Sequence, residues 1–298
     1  MRHDSAEFAG SRVRLDYRVE LHYDIAGDAD FVFSIHAAQT QQQRVLREAV
    51  IVEPAVAWHV ETEPHSGNRL LRLRAGSSGL DVDYAASVEV VHHLAAPDRV
   101  LAGPIADLPV AILPFLRPSR YCQSDHVQAF AWRQFGNMEP GYAQVEAVCN
   151  HVRSHVEFRV GTSTPATSAV DTLERGCGVC RDFVHATIAL LRALNYPARF
   201  VTGVDYGAPR DLGPPDFHSY VEAWIGGRWW LFDPTGITPL TGLIRIGTGR
   251  DAADVAFATM FGNVRGGMPK LAFDAVEDPA AGLALPQRTT LAVSTAAL

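Results

Sequence analysis

The chain has 298 residues, 47% of them hydrophobic, which is enough apolar surface for one large domain or two modest ones to fold around a core. Charged residues make up 20% and the formal net charge is −7 with no basic run, a balance that argues against nucleic acid and an anionic membrane as partners. The four cysteines, Cys122, Cys149, Cys177 and Cys180, are too few and too clustered for a disulfide framework, and neither an apolar leader nor a bilayer-length apolar run is visible, so a soluble cytoplasmic protein is expected.

From Ser11 onward Val13, Leu15, Tyr17, Val19, Leu21 and Tyr23 alternate with Arg12, Arg14, Asp16, Arg18, Glu20 and His22, the period of a long half-buried strand. The alternation recurs at Phe31, Phe33 and Ile35, at Leu71 and Leu73, and from Leu80 to Val90, with Gly76-Ser-Ser-Gly79 expected to join the last two as a hairpin. These elements predict an all-β, sandwich-like domain over residues 11–102. Pro104, Pro109, Pro114 and Pro118 deny regular structure to residues 103–118, which read as a linker.

Beyond the linker the period becomes helical. Ser124 is placed to cap a helix bearing Val127, Phe130, Ala131 and Phe135, and a second helix is marked by Tyr142, Val145, Val148, Cys149, Val152 and Val156. Ser168-Ala-Val-Asp171 has the form of a capping box, for a short helix closed by Gly176. This second domain is expected to run over residues 119–285, followed by a loose tail of small and polar residues over 286–298.

The most informative segment begins at Gly176-Cys-Gly-Val-Cys180, ahead of a largely apolar helix that stops at Asn195 and Pro197. Cys180 therefore stands at a helix start, where unpaired amides and the positive end of the macrodipole favour thiolate over thiol. Farther on, Phe217-His-Ser-Tyr-Val-Glu-Ala-Trp-Ile225 and Arg228-Trp-Trp-Leu-Phe-Asp233 flank Gly226-Gly227, a two-residue hairpin signal. If Ile225 faces Arg228, Asp233 stands opposite Tyr220, and His218, two residues away, lies on the same face at a backbone distance of roughly 7 to 8 Å. A three-residue loop would instead put the two groups on opposite faces. A thiolate to attack, an imidazole to hold the proton and a carboxylate to fix the tautomer are the requirements of nucleophilic acyl chemistry, so Cys180, His218 and Asp233 are the candidate catalytic residues.

Other readings of these residues exist. Cys177-Gly-Val-Cys180 has the spacing of a redox dithiol or half a zinc site, but a structural zinc needs a second paired motif and Cys122 and Cys149 stand alone, so no metal is assigned. His185, one turn past Cys180, is expected to pack or hydrogen-bond structurally, Asp182 to offset the helix dipole, and Arg250, Asp251 and Asp254 to brace a loop. Trp224, Trp229 and Trp230 suit cross-strand packing better than a substrate groove.

Three blocks resemble the transglutaminase-like superfamily: Gly178-Val-Cys-Arg-Asp-Phe-Val-His185, His218-Ser-Tyr-Val-Glu-Ala-Trp224 and Phe232-Asp-Pro-Thr-Gly236, in the family's order. Ser119-Arg-Tyr-Cys122 and Gly249-Arg-Asp-Ala-Ala-Asp-Val255 resemble flanking segments of bacterial members, and the β-rich start resembles their N-terminal region. The resemblance implies an α+β fold whose papain-like core packs the cysteine-bearing helix on an antiparallel sheet bearing His218 and Asp233. It also implies cofactor-free amide chemistry through a thioester at Cys180: hydrolysis of a peptide or isopeptide, or acyl transfer to an amine, on a peptide, protein or small amide substrate. Members without demonstrated activity keep a binding or scaffold role open, and oligomeric state is not specified.

Overall fold

A computed structural model of the chain describes residues 12–209 and 216–296. The alternation at the start forms β1 (Arg12–Phe33), and β2 (Gln43–Glu53), β3 (Trp58–Thr62), β4 (Arg69–Ala75), β5 (Gly79–Val91) and a short β6 (His93–Ala95) follow. The inward residues of β1, from Val13 to Phe33, are buried among Leu71, Leu80, Val82 and Tyr84, as a period of two requires.

β4 and β5 do not form the hairpin that their glycines suggested. Both pair with β1 and lie end to end along it, β4 opposite Ala29–Phe33 and β5 opposite Arg12–Asp24. The chain does not reverse at Gly76 because β1 bends there too: Gly27 takes φ +97°, its N–H donates to Ser77 Oγ (2.8 Å), and the Ile25 N–H donates to Ser78 O (3.0 Å). Glycine supplies the left-handed conformation that the bend needs.

In the segment expected to be an irregular linker, Pro104 and Pro109 each begin a 3₁₀ turn, Ile105–Asp107 and Val110–Leu116. The first helix, α1 (Gln128–Phe135), starts after a turn at 124–127, so Ser124 does not cap it. Next come α2 (Tyr142–His155), β7 (Glu157–Phe158), α3 (Ala169–Arg175), β8 (Cys177–Gly178) and α4 (Cys180–Ala193). α3 has the expected capping box, with Gly176 at φ +65°, and Asn195 takes φ +66° just past α4. Then β9 (Ala198–Asp205), β10 (His218–Ile225), β11 (Arg228–Phe232) and β12 (Leu243–Gly249) make an antiparallel sheet in the order β11-β10-β9-β12. α4 is buried along nearly its whole length, packing Val184, Ile188 and Leu191 in one core with Val221, Ala223 and Phe232 of the sheet.

The chain then returns to its beginning. β13 (Ala258–Gly266) and β14 (Lys270–Val276), both within the span 119–285, pair with β1 and complete the first sheet. The expectation of a loose tail over 286–298 is corrected: β15 (Ala292–Ser294) pairs with β6, and Ala292, Val293, Thr295 and Ala296 are buried. Small side chains let this segment pack closely against Tyr220, Leu231 and Trp229, so its composition marked a close contact and not a free end.

Candidate active site

Gly178 and Asp182 fix the start of α4. The buried Asp182 carboxylate accepts hydrogen bonds from the Val179 N–H and the Ser163 hydroxyl, both at 2.9 Å, satisfying a donor that the helix itself cannot. A Cβ on residue 178 would lie 2.7 Å from that of Asp182, so this approach requires glycine. Cys180 is the first residue of the helix and is partly exposed, and all four cysteines are free thiols.

The Gly226-Gly227 turn, with φ +59° and +88°, pairs Ile225 with Arg228 and continues to Val221 opposite Phe232, the register the sequence gives for a two-residue loop. His218 opens β10 and Asp233 follows β11, and the two are in contact, Nε2 to Oδ1 at 3.4 Å. Asp233 is held from behind. Its Oδ1 accepts from the Thr235 N–H (2.9 Å) and hydroxyl (2.6 Å), and Oδ2 from the Ile237 N–H (3.1 Å). Burial pushes this carboxyl up, but His218 and the Thr235 donors outweigh it and bring the pKa down to about 2. Burial likewise pushes the His218 imidazole down, while Asp233, a hydrogen bond with Cys180 and the nearby Asp205 hold it well above its ordinary value. Cys180, His218 and Asp233 are thus brought together from a helix and two strands.

Known proteins match both halves of this architecture. Residues 128–234 fit the model of the transglutaminase-like superfamily, and residues 13–110 that of the bacterial transglutaminase N-terminal domain. A solved structure from Cytophaga hutchinsonii, described as a candidate cysteine protease, is 36% identical with a TM-score of 0.88, covering 97% of this chain and 99% of that one. The chain belongs to the transglutaminase-like superfamily. An uncharacterized protein of Mycobacterium leprae is 38% identical over 149 residues, 47% of this chain and 52% of that protein. One from Mycobacterium tuberculosis is 27% identical over 143 residues, 44% and 46% of the two chains. The chain therefore spans about half the length of the curated relatives it matches.

Within this transglutaminase-like site one residue escaped the sequence. Asp205, at the end of β9, lies on the other side of the imidazole, its Oδ2 3.5 Å from His218 Nδ1. Its signal was the strand register: Gly203 pairs with His218, and Asp205 is two residues on, hence on the same face. Burial pushes this carboxyl up to about 6, with Asp233 and Asp216 adding to the shift and His218 opposing it.

The remaining candidates are structural. His185 is buried against Tyr121 and Phe200, accepts from the Ala252 N–H (3.2 Å), and is kept neutral by burial. Arg250 and Asp254 brace each other, and Asp251 accepts from the Tyr121 N–H (2.9 Å), as loop braces would. Trp224, Trp229 and Trp230 are buried, and Trp229 also carries the Arg199 guanidinium over its ring at 4.2 Å.

Proposed function

We propose that this protein performs cysteine-dependent amide chemistry, with Cys180 as nucleophile, His218 as acid and base, and Asp233 as the group that orients the ring. The observation that carries this is the placement of a buried imidazole between an ionised aspartate and a partly exposed thiol at a helix N-terminus. In the first step Cys180 Sγ bonds to the amide carbon, and the amide nitrogen leaves with a proton from His218 as the C–N bond breaks. Water or an amine then attacks the thioester, giving its proton back to His218 and releasing the thiolate. The Cys180 N–H, at the first position of α4 where the helix supplies no acceptor, is the backbone donor this reading assigns to the developing oxyanion.

The test is alkylation by iodoacetamide across pH, mapped by mass spectrometry, together with incorporation of a fluorescent primary amine into dimethylcasein or release of casein peptides. Cys180 should react faster than Cys122 and Cys149, which burial pushes up to about 12 and higher still, and His218→Ala should remove that advantage. Cys180→Ser should abolish turnover. A Cys180 that reacts like an ordinary thiol whether or not His218 is present would overturn the reading.

A further inference from the structure

The central strand β10 carries an imidazole that meets one carboxylate from each flank, Asp233 after β11 and Asp205 at the end of β9. The two carboxylates are not equivalent. Asp233 accepts several hydrogen bonds from Thr235, Ile237 and Thr238, whereas among the described residues Asp205 has no comparable donor set and lies in a largely desolvated position. His218 Nε2 faces Asp233 at 3.4 Å and Nδ1 faces Asp205 at 3.5 Å, and Cys180 hydrogen-bonds the same ring.

We propose that Asp205 is a fourth, proton-sharing member of the site: its carboxylate and the Cys180 thiolate are rival counter-ions for the His218 imidazolium, and one proton is shared between them. The inference rests on the Cys180–His218 reading above. Its physical basis is charge balance around a buried imidazole. With both aspartates and the thiol ionised, three anions would surround one imidazolium, which a low-dielectric site disfavours. The proton is therefore kept either on sulfur, leaving Asp205 ionised, or on Asp205, leaving the thiolate paired with imidazolium. These two arrangements contain the same number of protons, so their ratio does not vary with pH; the site gains or loses protons on either side of them in two steps belonging to the pair.

The other charged groups near Asp205 do not relieve this rivalry. Asp216, ahead of β10, is itself pushed up by burial and adds negative charge. Arg245 of β12 pairs across from Gly203, but its guanidinium is committed to Glu222, which Arg199 also holds. Asp205 is accordingly a positioning residue that acts through His218 and sets the fraction of thiolate present at a given pH. Its burial-raised pKa of about 6 is consistent with a group that holds its proton well above the ordinary carboxylate range.

The experiment is the rate of Cys180 alkylation by iodoacetamide from pH 4 to 9, read by mass spectrometry in the full chain, for wild type, Asp205→Asn, Asp205→Ala and His218→Ala. Wild type should rise in two steps. Both Asp205 variants should rise in one step at lower pH, alkylating about tenfold faster near pH 6, a conservative size for removing one nearby charge. Near-ultraviolet circular dichroism from the buried tryptophans checks folding, and the two-step wild-type profile needs no variant. A single-step wild-type profile, or variant profiles that superimpose on wild type or move to higher pH, overturns the role of Asp205 while leaving His218 dependence intact. Loss of that dependence overturns the underlying Cys180–His218 reading, so the two failures are distinct.

Discussion

At the scale of single residues, the two aspartates that flank His218 pull the stability of the protein in opposite directions. Asp233, at about 2, lies below the unfolded value of about 3.9; the stability it contributes is present above that value and lost as the pH falls toward 2. Asp205, at about 6, lies above the unfolded value, so its contribution is fully present only below about 3.9 and is lost as the pH rises through 6. Asp205→Asn removes the charge that burial penalises. Urea denaturation at pH 8 should find the variant about 2 kcal/mol more stable than wild type, with that advantage gone at pH 4. Equal stabilities at pH 8 would mean that the carboxylate is well solvated. Cys180, His218 and Asp233 were legible in the sequence because a helix start and a two-residue hairpin are local signals. Asp205 was not, because its place beside His218 depends on the β9–β10 register across the 206–217 connection, whose length reveals no parity.

At the scale of elements, Cys180 is only as well placed as the first turn of α4. Asp182 holds that turn by accepting from Val179 and Ser163 while fully buried, a role more specific than the dipole compensation its position suggested. Asp182→Ala leaves both donors without this acceptor and opens space beside Gly178. The expected cost is about 2 to 4 kcal/mol in a urea titration, with slower alkylation of Cys180, and Asp182→Asn should recover part of both because it retains an acceptor. A cost within the range of an ordinary surface substitution, about 0.5 kcal/mol, would show that the turn is held by packing alone. The elements misread from sequence share one cause. Gly76 to Gly79 has the composition of a turn, but whether such a segment reverses the chain or merely bends it is decided by its partner strand, here the kink at Gly27. Ser124 has the chemistry of a cap but sits in a turn that precedes the helix.

At the scale of the whole molecule, the first sheet and the sheet that carries His218 are joined through the backbone of an edge strand. β12 ends the order β11-β10-β9-β12, so one side of it has no strand partner within that sheet, and unpaired edge groups are costly when buried. Two side chains from the N-terminal unit take the place of a strand. Gln43 accepts from the Arg245 N–H (2.8 Å) and donates to its carbonyl (2.7 Å), and Asn68 accepts from the Thr248 N–H (2.8 Å) and donates to its carbonyl (2.9 Å). Val204, Ile244 and Ile246 complete the joint by entering the core of the first sheet. Because β9 carries Asp205 and lies between β12 and the His218 strand, the N-terminal unit supports the strands that define the site. No residue pattern within either unit announces such a joint, since a buried Gln or Asn reads in sequence as an ordinary surface amide. Gln43→Ala and Asn68→Ala should each destabilise the protein by about 1 to 3 kcal/mol, the first by leaving the Arg245 N–H without its acceptor while the carbonyl keeps the Ala38 N–H, the second by leaving the Thr248 N–H and carbonyl short of partners. Chemical denaturation followed by tryptophan fluorescence, to which Trp224, Trp229 and Trp230 of the His218-bearing sheet contribute, measures this loss. Losses below about 0.5 kcal/mol would mean that water replaces the amides and that the apolar contacts of Val204, Ile244 and Ile246 hold the two sheets together without them.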